Sequence, residues 1–166
     1  MKRVIFDTNI YGIIVIDTQR DKVRNKIEKE KAAVVYGFQL IRKELRETPR
    51  SIRVQGENLR NYLLRIYDEL TKNHELKFLN ECDNLADSYF VVYKELKGFA
   101  SKNEILKDFL IFACASLNSL DIVVSNDKKT MLSEQALKSY KIVNQIKNIR
   151  MPRFLDYEEF KKELKL

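Results

Sequence analysis

The chain has 166 residues, 45 % hydrophobic and 33 % charged, the balance of a soluble globular protein with room for one compact core. No apolar run approaches the roughly 18 residues of a spanning helix, and no signal-peptide hydrophobic stretch opens the chain, so a cytoplasmic protein without a membrane partner is expected. Two cysteines outside any C-x-x-C spacing and a single histidine argue against a disulfide framework, a zinc site or a histidine-based triad, while the net charge of +7 fits a polyanionic partner.

With only 4 Gly and 2 Pro, helices should dominate a single domain spanning 1–166. Residues 3–6 (RVIF) read as a short buried strand, 10–16 as a short helix, and 21–31 as a charged helix. The apolar run 32–36 (AAVVY) is a second strand, followed by a helix over 37–47 that Thr48-Pro49 stops. Helical spacing marks 57–72 and 81–97. Ser101 and Glu104 have the spacing of a capping box, which starts a helix near 102. DIVVS at 121–125 is the third strand, a helix covers 133–146, an edge strand is expected near 148–150, and a small helix over 156–165 closes the chain. Cys82 and Cys114 fall inside apolar helical patterns and read as core residues. Strands alternating with helices predict a three-layer α/β/α fold around a mainly parallel sheet of four or five strands.

In such sheets ligands bind outside the carboxyl ends of the strands. Asp7 lies just past the first strand and Asp127 just past the third. Taken singly, each could equally be a turn or N-cap residue. Asp108 is harder to place in that way. Its helical neighbours are Ile105, Ile111, Phe112 and Ala115, so its carboxylate points from an apolar face unless it merely opens the helix. Lys107, next to it in sequence, projects elsewhere on a helix. Glu44 sits at the border of the stripe formed by Phe38, Ile41 and Leu45, with Gly37 two turns earlier leaving space beside it. Two carboxylates about 5 Å apart repel by roughly 3 kcal/mol at an effective dielectric of 20. Acids from four elements converging on one sheet edge would therefore need a hard divalent cation, Mg²⁺ or Mn²⁺. Carboxylate-bound metal in a basic protein points to phosphodiester chemistry.

The ordered set "VIFDTNIYG", "LIRKELRE", "LKDFLIFACASL" and "DIVVSND" resembles the PIN-domain nucleases over nearly the whole chain. The resemblance implies that Asp7, Glu44, Asp108 and Asp127 form an acidic metal cluster. It implies supporting roles for Asn9, which would orient Asp7, and for Ser125. It further implies Mg²⁺- or Mn²⁺-dependent cleavage of RNA, homodimerisation and, for many members, a small antitoxin protein as partner; other members process RNA. Thr130 stands where the family often has an aromatic residue. Arg42, Lys43 and Arg46 flank Glu44 in sequence and could reach RNA phosphates, and Tyr11 could stack on a base. The expectation is a metal-dependent endoribonuclease. The alternative is a catalytically inactive PIN module that scaffolds RNA or protein. A phosphoryl-receiver domain is disfavoured, because no later strand clearly ends in Lys.

Overall fold

The computed structural model describes residues 1–166. The apolar run Val4-Ile5-Phe6 is fully buried in β1 (Lys2–Phe6), as a strand covered on both faces requires. The chain passes through α1 (Thr8–Ile16) and α2 (Arg20–Glu28) to β2 (Ala33–Phe38), which lies parallel to β1. Then come α3 (Gln39–Arg46), a small antiparallel hairpin of β3 (Arg53–Val54) and β4 (Glu57–Asn58), α4 (Leu59–Thr71) and β5 (Glu75–Leu76). The second half comprises α5 (Asn80–Glu95), α6 (Lys102–Leu117), β6 (Ile122–Val124), α7 (Glu134–Ile146), β7 (Arg153–Leu155) and α8 (Tyr157–Glu163).

Five strands form one parallel sheet in the order β5-β2-β1-β6-β7, flanked by helices. This is the expected α/β architecture. The helices fall into two packed sets, α1–α4 among themselves and α5–α7 among themselves. Val4 pairs with Ile122 and Phe6 with Val124, so β1 and β6 end level with each other. The next residues, Asp7 and Ser125, therefore emerge side by side at the carboxyl edge of the sheet. Asp7 N donates to Val124 O at 2.9 Å and Ser125 N to Leu155 O at 3.0 Å, which carries the ladder to its last residue.

The expected helices are all present with ends shifted by up to three residues, and Glu104 Oε2 accepts from Ser101 N at 2.7 Å at the start of α6. Cys82 and Cys114 are buried and free, as read from their apolar surroundings. Three expectations are corrected. The edge strand lies at 153–155, not near 148–150: Asn148 adopts φ 52° as α7 ends, and pairing with β6 begins only after Pro152. Gly37 belongs to β2, not to the helix carrying Glu44, and the space it leaves is filled by the Tyr67 hydroxyl and the Glu75 carboxylate. The hairpin and β5 had not been anticipated; the hairpin turns on Gln55 and Gly56, both at positive φ.

Beneath the sheet edge, Tyr89, Phe109, Phe112 and Tyr140 are all fully buried. Phe112 stacks on Tyr140 with ring centroids 4.0 Å apart, and Tyr89 meets Tyr140 edge-on at 5.1 Å. These contacts lock α5, α6 and α7 together and fix the helix that bears Asp108.

Candidate active site

Asp7 is both an N-cap and a buried acid. It starts α1, and its Oδ1 accepts from Thr8 N at 2.7 Å. Its Oδ2 accepts from Asn9 Nδ2 at 2.5 Å and from Ser125 Oγ at 2.7 Å. The residue is 5 % exposed. Asn9 in turn accepts from Asn126 N through its Oδ1 at 3.3 Å, so α1 and the β6–α7 loop are tied together around one carboxylate. Burial pushes Asp7 up to about 6 against the hydrogen bonds from Ser125 and Thr8, and the charges of Glu44 and Asp127 add to the rise.

Asp108 lies in the second turn of α6, so it does not cap the helix. Ile105, Ile111, Phe112 and Ala115 around it are fully buried, as the helical spacing implied. Burial pushes Asp108 up to about 7; the Thr130 hydroxyl opposes this, and Asp7, Asp127 and Glu44 reinforce it. Asp127 goes the other way. Burial alone would raise it, but the Thr130 hydroxyl and the N–H groups of Thr130 and Lys129 outweigh burial and hold it below the usual carboxylate range. Those N–H groups donate to Asp127 Oδ1 at 3.0 and 2.9 Å, a turn of the kind Asp commonly makes.

Thr130 joins the two acids. Its Oγ1 lies 2.6 Å from Asp108 Oδ2 and 2.7 Å from Asp127 Oδ2. A hydroxyl has one proton to donate. Both contacts are hydrogen bonds only when one carboxyl also carries a proton, and the raised Asp108 is the one that holds it. Glu44 completes the edge: its Oε2 accepts from Thr8 Oγ1 at 2.7 Å, and its Oε1 pairs with Lys107 Nζ at 3.1 Å.

The structure thus brings Asp7, Glu44, Asp108, Asp127, Asn9 and Ser125 to one place. It does not bring the basic residues there. Gln39, Arg42, Lys43 and Arg46 recur at helical spacing on α3 and line a surface cleft with Leu40 and Glu75, on a different face from Glu44. Arg42 is further held by a bidentate pair to Asp68 at 2.9 and 3.0 Å. Tyr11 is fully buried against Phe6 and Tyr67, so it cannot stack on a base. The cation at the cluster is Lys107, whose ammonium points away from Asp108's apolar face and towards Glu44. Thr8 and Thr130 were likewise not marked as cluster members by their sequence positions. The one available signal was the departure at 130 from the family's aromatic residue.

No three Asp, Glu, His or Cys side chains come close enough together to form a ready-made metal shell. The donor set is nonetheless all oxygen, with a buried and a half-buried acid held above their ordinary range. That suits a hard cation bound through one or two carboxylates and its own waters, not zinc. An apolar cavity of about 240 Å³ lies elsewhere, against Ile27, Ala33, Val35, Leu70 and His74, and none of the four acids lines it.

The chain matches no protein-family model and no curated protein. Among solved structures it is similar to a chain of VapBC2 from Rickettsia felis, crystallised bound to a DNA fragment from its promoter. The TM-score is 0.55 at 18 % identity, over 93 % of this chain and 98 % of that one. At that identity the likeness is one of fold, and the fold is the PIN-like arrangement that the sequence resemblance implied.

Proposed function

We propose that the chain is a metal-dependent nuclease that hydrolyses RNA phosphodiesters, with Mg²⁺ or Mn²⁺ held at Asp7, Glu44, Asp108 and Asp127. The observation that carries this reading is the meeting of these acids at one sheet edge, where Asp7 is buried, Asp108 is half-buried, and the two are raised to about 6 and about 7. Burial of acids in mutual repulsion costs stability, and a cation that binds them offsets that cost. A bound divalent ion supplies charge that lowers the pKa of an attacking water and stabilises the developing negative charge on phosphate. The chain's own residues hold and orient. Asn9 and Ser125 fix Asp7, Thr8 fixes Glu44, and Lys107 stands beside Glu44 as a cation within reach of a phosphate.

The likeness to a VapBC2 chain supports a narrower reading, the toxin half of a toxin–antitoxin pair with a small antitoxin protein as partner; a homodimeric state rests on the sequence resemblance alone. A different observation favours a non-catalytic scaffold: the absence of a ready-made three-ligand shell.

One experiment separates nuclease from scaffold. Purified protein is incubated with mixed RNAs in Mn²⁺ and in EDTA, beside Asp7→Asn and Asp108→Asn. We expect cleavage in Mn²⁺ only, reduced ~100-fold or more in either variant. Cleavage that persists in EDTA, or Asp7→Asn acting at the full rate, would overturn the proposal.

A further inference from the structure

Counting lone pairs sets Asp108 apart from Asp7 and Asp127. An ionised carboxylate has about four acceptor sites, two on each oxygen. On Asp127, Oδ1 takes both the Lys129 and Thr130 N–H groups, and Oδ2 takes the Thr130 hydroxyl. The protein itself therefore occupies most of this residue's capacity. Asp7 is occupied to the same extent: Oδ2 accepts from Asn9 and Ser125, and Oδ1 from Thr8 N. On Asp108 the side-chain hydrogen bond is the one with Thr130, at Oδ2. Its Oδ1 is left with the largest open capacity in the cluster.

We infer that Thr130 is a positioning residue: Asp127 holds the Thr130 N–H, and the Thr130 hydroxyl orients Asp108, so that Asp127 acts on a bound cation through Thr130. Asp108 Oδ1, which no protein group occupies, would then be the oxygen offered to the cation. The inference rests on the proposed metal site and gives Asp127 an orienting part in it.

The backbone around Thr130 is built to hold it still. Thr130 O accepts from Ser133 Oγ at 2.8 Å and Ser133 N at 3.2 Å, and Leu132 N donates to Asp127 O at 2.9 Å. The neighbouring Met131 is fully buried, and its carbonyl accepts from the Tyr140 hydroxyl at 3.1 Å. Nothing else in the structure hydrogen-bonds the Asp108 carboxyl, so its χ angles depend on this one hydroxyl and on the apolar residues around it. Residues that orient a ligand from behind typically contribute about 10- to 100-fold to metal affinity.

The test is a Mn²⁺ titration of the full chain followed by the electron paramagnetic resonance signal of free Mn²⁺, without RNA. The variants are Thr130→Val, Thr130→Ser, Asp127→Asn and the double Thr130→Val/Asp127→Asn, with Thr130→Ala replacing Thr130→Val if the latter does not fold. We expect Thr130→Val to weaken binding about 10-fold. Thr130→Ser should stay within about twofold of the wild type, and the double variant should bind no more weakly than Thr130→Val alone, because the two residues act as one unit. Wild-type affinity in Thr130→Val, or losses that add in the double variant, would overturn the inference while leaving the metal site standing. A wild-type chain that binds no Mn²⁺ would overturn the metal site itself, and the inference with it.

Discussion

Asp108 has fully buried Ile105, Ile111 and Phe112 for helical neighbours, and one hydroxyl to answer its charge. A carboxyl moved from 3.8 to about 7 has its ionisation disfavoured by ~4 kcal/mol, an upper figure because part of the rise comes from Asp7, which is itself raised. The sign follows from the folded value exceeding the unfolded one. The favourable protonated form is fully present below about pH 4, and its contribution is lost as the pH rises through about 7. In EDTA the melting temperature should therefore fall between pH 5 and pH 7.5. Asp108→Asn, a neutral isostere, should melt about 4–8 °C above the wild type at pH 7.5, a gain of ~2 kcal/mol, and close to it at pH 4.5. A variant less stable than the wild type at pH 7.5 would show that the ionised acid is stabilised by its surroundings after all. The apolar face that exposes this cost was legible in the helical spacing. Thr8 and Thr130 were not, because their roles exist only once 36 and 22 residues of chain have closed on themselves.

Among the elements, the strands that form continuous apolar runs could be read directly. β6 and the end of β1 are buried on both faces and β2 is buried on one face and half-buried on the other, and a parallel interior strand needs no alternation. β5 could not be read, because Glu75-Leu76 has no pattern of its own. It is a strand only because Gly37 and Phe38 pair with it and Gly37 N donates to His74 O. Gly37 is tight for the same reason: an added Cβ would collide with the Tyr67 hydroxyl and the Glu75 carboxylate. Gly37→Ala should destabilise the fold by about 1–3 kcal/mol in denaturant titration. The hairpin offers the opposite case. Gln55 at φ 51° followed by Gly56 at φ 81° has the signs of a type I′ turn, which prefers Asn-Gly. Gln55→Asn should stabilise by about 0.5 kcal/mol, read as a higher urea midpoint at unchanged slope.

At the scale of the whole molecule, charge and chemistry are set apart. The net +7 includes Lys43 and Arg46 on the exposed face of α3, while the acids lie around a helical corner from them. RNA held along that face would be bound by phosphate contacts and cut beyond them. Removing both charges, Lys43→Ala with Arg46→Ala, should lower the salt dependence of RNA affinity by about two in slope, with the cleavage rate of saturated enzyme unchanged. An unchanged slope would place the RNA path elsewhere.

The edge strand and the helix after it set the order in which the cluster can be completed. Leu155 O receives Ser125 N at 3.0 Å, and Tyr157 N donates to Asn126 Oδ1 at 2.9 Å. Asn126 and Ser125 are the residues that reach Asn9 and Asp7. Of the residues that shape the cluster, Asp7 is therefore synthesised first and Tyr157 last. A growing chain carries its first acid for most of its translation without the loop that orients it. On the nuclease reading, the site is complete only once Tyr157 has been made.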